Sequence, residues 1–187
     1  MNDNLPADPL LHAFQQGEVF AYPTEAVFGL GCDPDNKEAV YRLLALKDRP
    51  VEKGLILIAK TYSQLLKYVD DSAIPLDKRT EIFSSWPGPV TWLLPKSTTC
   101  PEWITGGSDL VAVRVTDHEV VQDLCSRLCK PLVSTSCNVS GMEPARTSEQ
   151  VLDQFADEVV LVGGKVGGQQ NPSVIKHGIT GQILRAS

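Results

Sequence analysis

The run Leu55-Ile56-Leu57-Ile58-Ala59 has no polar residue at any position. Successive side chains of a strand point to opposite faces, so a strand with one face in water would alternate. An unbroken aliphatic run, opened by Gly54 and closed by Lys60, therefore predicts a strand covered on both faces. Helices supply such cover, and helix-period stretches flank the run on either side. Before it, Val40, Leu43, Leu44 and Leu46 form an apolar stripe behind cap residues at 33–36. After it, helical spacing is read at 63–69, 76–85, 119–129 and 148–155. Further strands are read at 18–22, 90–94, 110–115, 131–134, 159–162, 173–175 and 182–184. Asp8-Pro9 reads as the cap and first residue of a short helix carrying Leu10, Leu11 and Phe14, which Gly17 stops. Helices and strands in alternation predict an α/β layered fold. The neighbouring strands within 90–115 and the short C-terminal strands make the expected sheet mixed rather than purely parallel.

No linker or internal repeat interrupts this pattern, and 187 residues can bury a substantial core, so residues 1–187 are read as a single domain. The net charge of −6 does not advertise nucleic-acid binding by the molecule as a whole. A phosphate ligand would have to be held by a local basic cluster. Met1–Asn4 has neither the basic nor the apolar region of a signal peptide. No apolar run approaches the roughly 20 residues that span a bilayer. The five cysteines include no C-x-x-C pair and no Cys/His spacing of a zinc site, and the three histidines are isolated. Free thiols in a reducing, cytoplasmic setting are the simplest account.

Chemistry-bearing residues fall into a few short stretches. In Ala21-Tyr22-Pro23-Thr24-Glu25-Ala26-Val27-Phe28-Gly29-Leu30-Gly31, a strand places Tyr22 and Thr24 on one side, and Pro23 favours that extended shape. Gly29 and Gly31 permit backbone angles or close approaches that a side chain forbids. A strand followed by an ordinary turn fits the same letters equally well. Lys47 and Arg49, two apart before Pro50, are expected on one side of an extended segment with Lys53 nearby. Three cations so placed suit a polyphosphate, although spacing alone favours a solvated helix end. Ser134-Thr135-Ser136-Cys137-Asn138 ends a strand with Ser134, Ser136 and Asn138 on one face, suited to orienting a polar ligand. Composition alone would make this an ordinary Ser/Asn turn. Arg114 interrupts the apolar run 111–115 and needs a partner there: Glu25, Asp109 or a ligand carboxylate. Neither a Walker-type loop nor a G-x-G-x-x-G dinucleotide turn occurs, and Gly163–Gly168 reads as a flexible loop.

Four segments carry a resemblance in register: Tyr22–Gly31, Lys47–Gly54, Ser134–Gly141 and Asn171–Ile175. The chain resembles the YrdC-type threonylcarbamoyl-AMP synthases in their short, single-domain form. The resemblance implies a twisted mixed sheet flanked by helices with a central cleft. It also implies an enzyme that joins L-threonine, bicarbonate and ATP into L-threonylcarbamoyladenylate, releasing pyrophosphate. Partner proteins would pass the threonylcarbamoyl group to a tRNA adenosine. Lys47, Arg49, Ser136 and Asn138 are the implied catalytic residues; Arg49, Lys53, Asn138 and Arg146 the ATP contacts; Thr24, Arg114, Ser136 and Ser173 the threonine contacts. No metal ligand is implied, and Mg2+ would travel with ATP. Ala26, Cys137 and Val174 stand where relatives usually carry Thr, Ala and Thr. Two rivals remain. One is a carbamoyl-transfer relative like that of hydrogenase maturation, disfavoured by the lack of acylphosphatase-like or zinc-finger regions. The other is an RNA-binding module using the 47–53 cations, disfavoured by the acidic total and the lack of interleaved aromatics.

Overall fold

The structure, a computed structural model, describes residues 8–185. The reading of Met1–Asn4 lies outside the described residues. Among the described residues, helices α1 (Pro9–Gln15), α2 (Lys37–Leu46), α3 (Leu76–Ser84), α4 (Glu102–Thr105), α5 (Glu119–Leu128) and α6 (Ser148–Phe155) are interspersed among nine strands. The strands are β1 (Phe20–Pro23), β2 (Phe28–Gly31), β3 (Ile56–Ala59), β4 (Val90–Pro95), β5 (Leu110–Val115), β6 (Leu132–Ser136), β7 (Val160–Leu161), β8 (Val174–His177) and β9 (Ile183–Arg185). They form one sheet in the order β7-β1-β2-β6-β3-β5-β4-β8-β9. The pairs β1/β7, β3/β5 and β4/β8 are parallel and the others antiparallel, so the sheet is mixed, as expected. Among the described residues no helix is long and apolar enough to cross a membrane.

The two-residue period of the strands sorts the core. Val111, Val113 and Val115 of β5 join Leu57, Trp92, Leu94 and Val133 on one face. Helix α2 covers that face with Val40, Leu43 and Leu44, and α6 with Val151 and Phe155. On the other face, Phe20, Tyr22, Ile58 and Leu132 meet Phe14 of α1 and Val121, Leu124 and Leu128 of α5. Helices α1 and α5 cover only part of that face. The run that opened the sequence reading therefore departs from it at one position. Leu57 and Ile58 are buried on opposite faces, whereas Ile56 looks into open space beyond the helices.

Local chemistry decides three other departures. Gly29 and Gly31 lie inside β2 and not in a turn. A Cβ on Gly31 would stand 2.1 Å from the Val133 carbonyl and 2.8 Å from the Tyr22 hydroxyl, which itself donates to Val133 O at 2.8 Å. Here the glycine serves close approach rather than a turn. The segment after α2 is not extended either. Asp48 adopts φ +50°, Asp48 N–H donates to Ala45 O and Arg49 N–H to Leu44 O, a Schellman ending with Asp in place of glycine. Residues 63–69 form a 3-10 turn at Tyr62–Leu65 rather than an α-helix.

Candidate functional site

The uncovered part of the sheet face is the floor of a cavity of about 540 Å³. Leu110, Ala112 and Arg114 of β5 point into it because their neighbours Val111, Val113 and Val115 point into the core. Ala112 lies between Ile56 on one side and Leu93 on the other, by strand register. Ser134 and Ser136 of β6 add hydroxyls, and Gln169 to Ser173 close one wall. That wall continues the segment 163–168, read in the sequence as a flexible loop. It is pinned where Gly167 N–H donates to Thr24 O at 2.8 Å and Gln169 N–H to Glu25 O at 3.1 Å. A Cβ on Gly167 would meet the Glu25 carbonyl at 2.7 Å, so glycine lets the two chains cross.

Of the residues singled out in the sequence, Thr24, Arg49, Lys53, Arg114, Ser136 and Ser173 line this cavity. Thr24 donates its hydroxyl to Val27 O at 2.7 Å, leaving its oxygen lone pairs for a ligand. The Ser173 hydroxyl lies 2.9 Å from that of Thr91. Lys47, Asn138 and Arg146 are not brought to the cavity wall. Each is spent on the backbone behind it. The Lys47 ammonium, on a residue 3% exposed, donates to Ser136 O and, at 2.7 Å, to Asn138 O. The Asn138 amide donates to Val139 O and Met142 O, each at 3.0 Å. Arg146 donates to Ala26 O and Gln170 O, each at 2.9 Å. The physical reason lies in the α2 ending: left-handed Asp48 separates Lys47 from Arg49, so the two do not project together as they would from a strand.

Burial, and secondarily the neighbouring Arg49 charge, push the Lys47 ammonium down to about 8 from 10.5. Between these values the unfolded chain holds a proton that the folded chain has released, so the stability contributed at Lys47 rises as pH climbs from about 8 to 10.5. Denaturation midpoints at pH 7.5 and 9.5 for the wild type and Lys47→Met test this. The wild type is expected to gain on the variant at the higher pH; an unchanged difference would rule the titration out. The Cys137 thiol behind the same turn is buried and pushed up to about 12 by that burial, which leaves it a poor nucleophile.

Arg114 has the partner that its position demanded. Its guanidinium lies 2.8 Å from Glu25 Oε2, and both residues are nearly buried. Asp109, the other candidate, faces Lys96 at 3.7 Å. Glu25 Oε1 accepts from the Thr116 hydroxyl at 2.6 Å, and that hydroxyl accepts from His118 N–H at 3.0 Å. Burial opposes ionisation of Glu25, but the Arg114 charge and the Thr116 hydrogen bond outweigh it and hold the carboxyl below its ordinary range. Arg185 also lines the cavity, donating to Ser173 O at 2.9 Å. Burial and the Arg114 charge lower its pKa. Sequence reasoning missed Arg185, because a short, exposed strand near the C-terminus gives no sign of facing a site. It also missed Thr116, whose one signal was its two-residue spacing from Arg114.

The cations occupy two ends of one floor. Arg49 donates to Gly54 O at 3.0 Å, just before β3, at the level of Leu110 in the parallel β3/β5 register. Arg114 is four residues further along β5, or about 13 Å at the strand rise. An α/β sheet with a part-open, aliphatic-floored cavity and cations at both ends defines a binder of small anionic molecules. The Sua5/YciO/YrdC family model, described as telomere recombination, matches residues 12–187. The chain belongs to this family. It is 60% identical over 185 residues to the threonylcarbamoyl-AMP synthase of Pseudoalteromonas atlantica, across 99% of each chain. With the threonylcarbamoyl-AMP synthase of Yersinia enterocolitica it shares 57% over 185 residues, 98% of this chain and 97% of that one. Among solved structures it resembles P. abyssi Sua5 complexed with L-threonine, with a TM-score of 0.82 and 31% identity. That match covers 90% of this chain and 50% of the other, so the chain spans about half the length of that protein.

Proposed function

We propose that this chain makes L-threonylcarbamoyladenylate from L-threonine, bicarbonate and ATP, releasing pyrophosphate. The observation that carries the proposal is the two-ended cavity, which offers separate grips for a carboxylate and a polyphosphate. Its relatives at 57% and 60% identity bear the name of that activity along their whole length. Arg114, held by Glu25, takes the threonine carboxylate, with Thr24 and Ser173 beside it. Arg49 presents a planar fork to phosphate oxygens and Lys53 adds a point charge. The Ser136 hydroxyl orients the reacting groups, on a turn that Lys47 and Asn138 hold from behind. The carbamate of threonine attacks the α-phosphate, and the chain contributes positioning and stabilisation of the charge that spreads onto pyrophosphate. No side chain forms a covalent intermediate.

Magnesium is part of this proposal as an ion that arrives with ATP. The cavity lining holds two carboxylates, and Glu25 is committed to Arg114 and Thr116. That donor set fits an ion ligated mainly by phosphate and water. The product would be consumed by proteins that transfer the threonylcarbamoyl group to tRNA, in the cytoplasm.

Mixing the protein with threonine, bicarbonate and ATP and detecting the adenylate by mass tests the assignment. Valine, isosteric with threonine, should support pyrophosphate release less well by roughly 10² or more, because groups that bond the hydroxyl would be left unpaired. Equal rates with the two amino acids would remove the hydroxyl-reading role of Thr24 and Ser173.

A further inference from the structure

We propose that the buried carboxylate of Glu25 sorts the two kinds of anion between the ends of the cavity, admitting a singly charged carboxylate at Arg114 and turning multiply charged phosphates away to Arg49 and Lys53. The inference rests on the reading above that both anions share one cavity. Without Glu25, the two ends would be close to equivalent. Arg114 and Arg185 line one end, and Arg49 and Lys53 the other with Lys47 behind them. Either pair could take a polyphosphate, and threonine would then have to compete with ATP for Arg114.

Glu25 breaks this symmetry. At 6% exposure its charge is poorly screened, whereas Glu52, the carboxylate at the other end, is exposed and water-screened. The charge is also fixed in place. Thr116 holds Oε1 at 2.6 Å, and His118 N–H holds Thr116 in turn. Among the described residues Oε2 has no well-aligned hydrogen bond despite its 2.8 Å approach to Arg114. The Arg114 end thus carries one net positive charge, which one carboxylate matches. Each further negative charge on a ligand meets Glu25 across a few ångströms of low dielectric, a penalty on the order of a hundredfold at about 6 Å.

The test is calorimetric titration of inorganic pyrophosphate with and without saturating L-threonine. In the wild type, threonine should leave pyrophosphate binding in place. In Glu25→Gln, a pyrophosphate site that threonine competes for should appear, tighter by about 10–100-fold than any such binding in the wild type. Thr116→Val removes an anchor but keeps the charge, and should show no such gain; a gain there equal to that of Glu25→Gln would mean that loosened packing, not charge, opens the site. A folded Glu25→Gln that binds no more pyrophosphate, and no more tightly, than the wild type overturns the proposal. Should Glu25→Gln not fold, the wild type decides alone, because direct competition between pyrophosphate and threonine there overturns it as well. Failure of the wild type to bind threonine counts against the proposed function instead; the additional pyrophosphate in Glu25→Gln is read independently of it.

Discussion

Replacing Arg114 with Gln is expected to raise the KM for threonine by about 10³ and to lower stability by roughly 3–5 kcal/mol, the usual cost of breaking a buried pair. Two losses add in the binding step. A charge-assisted hydrogen bond to the ligand carboxylate is worth about 1.5–3 kcal/mol. The Glu25 carboxylate, no longer opposed, then repels the incoming carboxylate by about 2–3 kcal/mol at an effective dielectric near 20. The stability loss has a separate origin, since Glu25 is left as an uncompensated charge at 6% exposure. The double variant Arg114→Gln with Glu25→Gln separates the two. Neutralising both partners should restore most of the melting temperature while threonine binding stays lost. Steady-state kinetics and thermal denaturation on the two variants are the measurements. A threonine KM within threefold of wild type in Arg114→Gln would defeat the carboxylate assignment.

Arg49→Lys should lower turnover by about 10²–10³, or roughly 3–4 kcal/mol of transition-state stabilisation. Arg49 does two things at once. One terminal nitrogen, Nη2, holds Gly54 O at 3.0 Å, at the entrance to β3, and the residue lines the cavity. Its Nε has no hydrogen-bond partner among the described residues. A planar fork can keep the backbone contact and still offer donors to phosphate, whereas a single ammonium on a flexible stem must choose. The fall in ATP affinity should be smaller than the fall in turnover, because a donor that strengthens its bond during reaction acts mainly on the chemical step. The same variant distinguishes a synthase from an RNA-binding module. Preserving the charge should leave RNA affinity and its salt dependence nearly unchanged if phosphate contacts are all that matter. Full turnover in Arg49→Lys would defeat the role given to the fork.

Periodicity made most of the fold legible. Val40, Leu43 and Leu44 announced α2 and its buried face, and Arg114, interrupting an apolar strand, announced its need of a partner. The site residues split along a physical line. Those on strands line the cavity: Ser136 could be assigned a side from a two-residue period, and Arg114 stood out as a charge in an apolar strand. Those on turns could not be placed this way. One left-handed residue at Asp48 rotates everything that follows, and no count of spacing shows it. Lys47 thus looked like a phosphate ligand by its charge but is spent on two carbonyls. Arg185 and Thr116 were hidden for the opposite reason. Each depends on a partner in another strand or loop, Ser173 or Glu25, that only the folded sheet brings near.

The valines of β5 and the cavity-facing residues between them share one backbone, and this ties the inheritance of the site to that of the core. A one-residue insertion or deletion within β5, between Val111 and Arg114, would not merely shift Arg114 along the strand. It would exchange the two faces, sending the arginine into the hydrocarbon interior and the valines into the substrate space. Such a lesion fails in folding and in catalysis together, so no intermediate sequence can trade one against the other. Lineages can therefore vary Leu110, Ala112 and Arg114 by substitution, but the spacing between them inside the strand is fixed.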